Sequence, residues 1–315
     1  MSAPTTRLEP APGFRHEAVF YRGLDDLTES LLPFIREGLG RGEPTLAVLP
    51  ADRVRVLENG LGADAARVSF LDMEKLGRNP ARIIAAWREF LEVHEGCPAV
   101  RGVGEPVWDG RRREELDECR FHESLLNLAF DSGPAWQLIC PYDAAALPAE
   151  VLDDVMLTHP VVRSGAELAH ERYGGHAFAF HSFSEPLPPP PAFAAEVSFN
   201  GLDLAGLRAI VRRVCQQSGL SQDNTDDLVL SVHELATNSV QHGGGRGLLR
   251  TWVDHDALVF EVSDGGLIRD PLVGRIPGLA LCEAGRGVWL ANQLCDLVQV
   301  RSSDRGTVVR VFTWR

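Results

Sequence analysis

Five of the six residues from Pro186 to Pro191 are proline. A run of this kind lacks the amide hydrogens that a helix or a central strand needs, and it favours a stiff, extended spacer. A chain of 315 residues is long enough for two domains. The run therefore reads as the joint between them: a first domain over 14–181, a Pro-rich linker over 182–192, and a second domain over 193–315. Hydrophobic residues make up 44% of the chain and charged residues 24%, enough apolar material for two packed cores.

Several chemistries are excluded early. The net charge of −13 argues against direct binding to nucleic acid, which requires neutralised phosphates. Lys75 is the only lysine, and it stands in Asp72-Met73-Glu74-Lys75. There is accordingly no phosphate loop ending in Lys-Ser/Thr and no phosphate-binding lysine of the eukaryotic protein-kinase type. If this chain handles phosphate, it must use backbone amides, arginine or a metal ion. The six cysteines (Cys97, Cys119, Cys140, Cys215, Cys282 and Cys295) form no C-x-x-C pair and read as reduced, mostly buried thiols. The stretch from Met1 to Phe14 is polar and Pro-rich, so it reads as no signal peptide. No apolar run approaches the roughly 18 residues of a membrane span. The expectation is a cytoplasmic protein with no membrane partner.

The first domain alternates short apolar runs with helical patterns. Glu17–Tyr21, Pro44–Leu49, Val68–Leu71, Ala99–Gly102 and Trp136–Cys140 read as strands. Leu24–Leu39, Pro80–His94 and Glu114–Phe130 read as helices. That alternation predicts an α/β domain layered around a largely parallel sheet. In the second domain, Ala195–Asn200, Gly247–Asp254, Ala257–Asp264, Leu297–Ser302 and Thr307–Thr313 read as strands. Asp203–Ser218, Asp223–His242 and Arg286–Cys295 read as helices, an α+β arrangement with a sheet covered on one face.

The helix over 223–242 carries a pattern of interest. At 100° per residue, Leu228, Val229, Val232, Leu235, Ala236 and Ser239 share a core-facing arc. Asp227, Ser231, Asn238 and Gln241 fall within about 60° of Glu234. Glu234 and Asn238, one turn apart, thus leave the same polar face. Taken alone, such a face is as readily solvated. Ser263-Asp264-Gly265-Gly266 ends an apolar strand and by itself is a turn. Gly285-Arg286-Gly287 leads into an apolar helix, whose N-terminal amides and dipole can hold phosphate without lysine. Asp304-Arg305-Gly306-Thr307 by itself is a hairpin turn. Arg269, Arg275 and Arg286 are candidate phosphate contacts, with solvated surface arginines as the default. The triplet Arg111-Arg112-Arg113 reads as a solvated loop.

In this order, Glu234-x-x-x-Asn238, Asp264-x-Gly266, Gly285-x-Gly287 and Gly306-Thr307 resemble the Bergerat (GHKL) ATP-binding fold. The short two-helix opening and the Asn238…His242-Gly243 ending resemble its anti-sigma-factor serine kinases. The resemblance covers about 195–315 and implies an α+β two-layer domain binding ATP and Mg²⁺. It implies that Asn238 holds the magnesium against the phosphates and that Asp264 accepts the adenine amino group, with Gly266 allowing close approach. Gly285 and Gly287 would let the lid and helix wrap the phosphates, Thr307 would support the adenine end, and Glu234 would be the general base. The sequence departs from the pattern at Ile268, where a further glycine is common, and in a short, partly apolar lid over 267–284.

A second set of phrases lies in the first domain: Gly102-Val103-Gly104-Glu105-Pro106-Val107-Trp108, Phe121-His122-Glu123 with Asn127, Cys140-Pro141-Tyr142-Asp143, and Thr158-His159-Pro160. Together they resemble the MEDS sensory domain, which implies a RecA-like layered core without a working phosphate loop and a small-molecule signal. Glu105, Glu123 and Tyr142 could line a pocket or simply bond within the core. Cys119 and His122, at i,i+3, lack the paired spacing of a zinc site. The two resemblances imply a sensor-controlled, homodimeric anti-sigma factor that phosphorylates a serine or threonine on a STAS-domain antagonist and holds a sigma factor. A nucleotide-dependent binding switch without catalysis is the alternative. A histidine kinase would need an acceptor histidine on a helix where 182–200 places a proline spacer and a strand.

Overall fold

The computed structural model describes residues 13–164, 166–169, 171–276 and 286–315. Packing divides the chain into two compact units. The first comprises 1–74, 89–110 and 126–175; the second comprises 75–88, 111–125 and 176–315.

In chain order, the helices are α1 (Gly23–Arg41), α2 (Ala51–Leu61), α3 (Met73–Leu76), α4 (Ile83–Val93), α5 (Arg113–Phe130), α6 (Ala149–Thr158), α7 (Gly175–Ser184), α8 (Leu204–Gln217), α9 (Gln222–His242) and α10 (Arg286–Leu294). The strands of the first unit are β1 (Phe14–Tyr21), β2 (Thr45–Leu49), β3 (Ser69–Asp72), β4 (Val100–Gly104), β5 (Trp136–Asp143), β6 (Val161–Ser164) and β7 (Ala166–Ala169). They form one sheet in the order β3-β2-β4-β5-β1-β6-β7, parallel except for the antiparallel β6–β7 edge pair. β2 and β4 are buried at every position, as strands covered on both faces must be. Leu27, Leu31, Phe34 and Ile35 of α1 recur at helical spacing and meet Ala47, Leu49, Val103 and Ile139 in one core.

The chemistry of this core includes a buried acid. Tyr21 donates from its hydroxyl to Glu105 Oε1 at 2.6 Å, and Arg53 lies 3.4 Å from Oε2. Burial pushes the Glu105 carboxyl up to about 7, and the nearby Asp52 and Asp143 add to the rise, while Tyr21 and Arg53 oppose it. The folded state therefore keeps a proton that the unfolded chain releases from its ordinary value of 4.5 upward. The resulting stabilisation is complete below that value and is lost as pH rises through about 7. The stability difference between the wild type and Glu105→Gln should fall by on the order of 2 kcal/mol between pH 5 and 8. Denaturation at a series of pH values measures it; a constant difference would show that Glu105 ionises as it does in water.

The second unit contains β8 (Ala195–Asn200), β9 (Arg246–Asp254), β10 (Ala257–Asp264), β11 (Leu297–Ser303) and β12 (Gly306–Trp314). These five pair antiparallel in the order β11-β12-β10-β9-β8. α9 begins at Ser221, whose side chain accepts from the Asn224 amide. It buries Leu228, Val229, Val232, Leu235, Ala236 and Ser239 and packs on β9, β10 and β12. Its polar face is less open than the sequence suggests. α10 packs along α9, and Ser231 is fully buried with Cys295 Sγ 3.4 Å from its hydroxyl.

The prolines do not stand clear of this unit. Pro188 accepts from Arg310 Nη2 at 2.8 Å, and Pro186, Pro188 and Pro190 line a groove beside Arg250 and Glu261. Nor is the arginine triplet a solvated loop: Arg111 is 8% exposed and donates to the Gly77 carbonyl, and Arg112 pairs with Asp256 and covers the Trp314 ring. Among the described residues no cysteine is in a disulfide; Cys97 is exposed while Cys119, Cys140, Cys215 and Cys295 are buried. No described helix is long and apolar enough to cross a membrane.

Candidate functional site

The second unit holds a cleft of about 540 Å³ between α9, the ends of β10 and β12, and the segment after β10. Its lining includes Asn238, Ser239, Asp264, Gly266, Val288 and Thr307. That volume lies within the usual range for small-ligand sites.

Asp264 is held from two sides. Ser239 donates to its Oδ2 at 2.6 Å, and the Gly266 amide donates to its Oδ1 at 2.7 Å. A carboxylate has about four acceptor sites, so two remain after these bonds. The orientation is fixed before any ligand arrives. Gly266 is packed so closely that an added Cβ would sit 2.9 Å from the His242 carbonyl and 2.9 Å from Asp264 Oδ1. Gly243, which caps α9, is equally crowded against the Asp264 side chain. Thr307, opposite Asp264 in the β10–β12 register, donates to the Gly266 carbonyl at 2.9 Å and sits 2.7 Å from Ser302 Oγ. Ser302 in turn accepts from the Ile268 amide. The Thr307–Ser302 bonds thus tie down the chain leaving β10 where Ile268 replaces glycine.

Asn238 lines the same cleft, one turn of α9 before His242. Gly287, in the first turn of α10, lies against it: a Cβ there would be 2.6 Å from Asn238 Nδ2 and 3.3 Å from Glu234 Cβ. Glu234 is half-buried at this α9–α10 contact and is not among the residues lining the cleft. Gly285 lies outside the described residues, as does 277–284 of the lid.

The arginines divide. Arg269 lines the cleft, and Arg286 is exposed at the start of α10. Arg275 is committed elsewhere: it is 4% exposed, ion-paired with Glu118, and stacked over Phe121. Glu118 takes a second ion pair from Arg301 at 3.1 Å, so the carboxylate is shared between two buried guanidinium groups. Such a cation does not reach for a phosphate. Sequence reasoning also missed Ser239, because a small polar residue on an apolar helix arc looks like core. It missed Asn292, which donates to the Gly274 carbonyl at 2.8 Å and binds Asn79 at 3.1 Å through the Asn79 amide.

The far end of α10 is capped from segment 75–88. Arg82 donates to the carbonyls of Asn292, Gln293 and Cys295 at 2.7, 2.9 and 2.8 Å. A guanidinium there satisfies terminal carbonyls and complements the negative end of the helix dipole. Arg82→Ala should destabilise the second unit by about 2 kcal/mol. Arg78→Ala, which removes only an exposed arginine's pair with Asp296, should cost about 0.5 kcal/mol or less. Thermal denaturation of the two variants checks this; equal midpoints would deny the cap its role.

Comparison with known proteins matches two families in succession along the chain. Residues 15–160 match the family described as MEDS, the methanogen/methylotroph, DcmR sensory domain. Residues 200–313 match the histidine kinase-like ATPase domain. The serine-protein kinase RsbW of Halalkalibacterium halodurans is 30% identical over 115 residues, which are 33% of this chain and 70% of that protein. The crystal structure of the RsbU and RsbW domains of Rv1364c from Mycobacterium tuberculosis is 16% identical, with a TM-score of 0.31. That likeness covers 40% of this chain and spans about a third of the other.

Proposed function

The chain belongs in its C-terminal part to the family of the serine-protein kinase RsbW and carries a MEDS domain ahead of it; on that premise we propose that it is a sensor-controlled anti-sigma factor with ATP-dependent serine/threonine kinase activity. Its substrate is a STAS-domain antagonist, its second partner a sigma factor, and its working form a homodimer in the cytoplasm. The sensory domain spans 14–181 with a RecA-like layered core, the linker 182–192, and the two-layer Bergerat domain 193–315.

The observation that supports this reading is the preset acceptor Asp264 in a cleft shared with Asn238 and Thr307. The cleft fits a nucleotide. Asp264 has acceptor capacity to spare for the adenine amino group, and the absence of a Cβ at Gly243 and Gly266 lets the main chain pack directly against that carboxylate. Asn238 would hold magnesium through its side-chain oxygen, a hard ligand of the kind that ion prefers. The ion supplies neutralisation of the phosphate charge.

The residues of this chain perform the other parts. Asp264 and Thr307 fix the base, Asn238 and the α10 amide end at Gly287 fix the phosphates with Gly285, and Arg269 faces the same cleft. Glu234 accepts the proton of the partner's hydroxyl as its oxygen bonds to the γ-phosphorus and the bond to ADP breaks. Control by the sensor runs through 75–88 and 111–125. These stretches lie inside the MEDS-matched sequence yet pack within the ATPase unit, against α10 and Arg275.

Incubation of the full chain with Mg-ATP and STAS-domain proteins, followed by phosphosite mapping, tests the proposal. Phosphate on a serine or threonine of a STAS protein is the expected result. Nucleotide binding with no transfer would reduce the protein to a switch, and acid-labile phosphohistidine on this chain would make it a histidine kinase.

A further inference from the structure

The first unit contains a buried cluster that the kinase reading does not use. His16 on β1, Cys140 on β5 and His159 after α6 bring their ligand atoms within 4.8 Å of one another. All three are at most 1% exposed. We propose that His16, Cys140 and His159 form a binding site for a borderline-soft divalent metal ion of the Zn²⁺ class.

The fold builds the cluster by register. Parallel pairing sets Ala18 beside Cys140, so His16 lies two residues back along the neighbouring strand. Side chains at spacing of two share a face, which places His16 and Cys140 on the same side of the sheet. β1 also pairs with β6, which begins two residues after His159. His16 Nε2 lies 3.3 Å from Cys140 Sγ, and the two imidazole rings are 4.1 Å apart.

Hydrogen bonds around the cluster turn one nitrogen of each imidazole inward. Asn127 on α5 donates through Nδ2 to the Thr158 carbonyl at 2.8 Å, which fixes its amide. Its Oδ1 then faces His16 Nδ1 at 3.2 Å and makes that nitrogen the protonated one. The lone pair of His16 is therefore on Nε2, beside the cysteine sulfur. His159 repeats the arrangement: Nδ1 lies 3.1 Å from the Val155 carbonyl and 3.0 Å from the Thr158 hydroxyl, whose own hydrogen goes to the Asp154 and Val155 carbonyls, so Nδ1 carries the hydrogen and Nε2 the lone pair. A metal-binding histidine is characteristically oriented in this way, through its second nitrogen and a carbonyl oxygen. Tyr142 meets the His159 ring edge-on at 5.5 Å, and Phe14 stacks on His16, giving the site an apolar wall.

Two neutral imidazoles and a thiolate suit Zn²⁺ and Co²⁺ and disfavour Mg²⁺ or Ca²⁺, which take oxygen ligands. Binding would release the Cys140 proton to solvent as the sulfur–metal bond forms.

The test uses the full chain, stripped with chelator and titrated with Co²⁺. The expected result is one equivalent bound, with thiolate-to-cobalt absorption that Zn²⁺ abolishes by displacement. Cys140→Ser should lose that absorption, Cys97→Ser should keep it, and Asn127→Ala should weaken binding about 10–100-fold. X-ray absorption on the zinc-loaded wild type needs no variant: one sulfur near ~2.3 Å and nitrogens near ~2.0–2.1 Å are expected. Absence of stoichiometric binding, a cobalt band that survives Cys140→Ser in the folded protein, or a shell without sulfur would overturn the assignment.

Discussion

Replacing Glu234 by glutamine should lower phosphate transfer to the partner by about 10²–10⁴-fold while leaving Mg-ATP affinity within about twofold of the wild type. Glu234 and Asn238 leave the same face of α9, one turn apart. Asn238 lines the cleft, whereas Glu234 sits one turn earlier at the contact with Gly287 and outside the lining. A glutamine there keeps the packing and loses only the capacity to take a proton. Because the proposed base would act on the hydroxyl of the incoming protein, its loss should leave nucleotide titrations unchanged and appear in turnover alone. Single-turnover transfer at saturating ATP measures it. Equal rates for both proteins would remove Glu234 from the chemistry.

Replacing Asp264 by alanine should weaken adenine-nucleotide binding by about 100-fold or more, since hydrogen bonds to a charged group contribute about 1.5–3 kcal/mol each. The carboxylate does more than face the cleft. It accepts from Ser239 and from the Gly266 amide, so alanine leaves that amide without its acceptor, leaves Ser239 only the Leu235 carbonyl, and loosens the turn after β10. Ser239→Ala provides the control. It keeps the carboxylate and removes one of its anchors, and it should cost affinity about tenfold or less. Calorimetric titration of both variants gives the comparison. If Ser239→Ala were as damaging as Asp264→Ala, the carboxylate would be acting through the fold and not on the ligand.

Local pattern made much of the second domain legible. β8 and β10 run from Ala195 to Asn200 and from Ala257 to Asp264, as alternation and turn residues imply. The core arc of α9 follows from 100° spacing. α2 escaped notice because Asp52, Arg53, Arg55, Glu58 and Asn59 leave only two buried side chains in 11 residues. α6 escaped because it is only 10 residues long and starts directly after Pro148. Helical spacing places Glu234 and Asn238 on one face of α9, and of the two only Asn238 lines the cleft. The site was not legible where a contact joins remote segments. Ser239 meets Asp264 across 25 positions, Arg275 meets Glu118 across 157, and His16 meets Cys140 across 124. No local period records such distances; strand register and helix packing create them.

Titration of the full chain with ATP, with and without magnesium and beside GTP, bears most directly on the central claim. One equivalent of ATP should bind, magnesium should strengthen it, and GTP, which presents a carbonyl where adenine presents an amino group, should bind at least about tenfold more weakly because Asp264 can only accept. Equal binding of the two nucleotides, or binding of neither, would contradict the account.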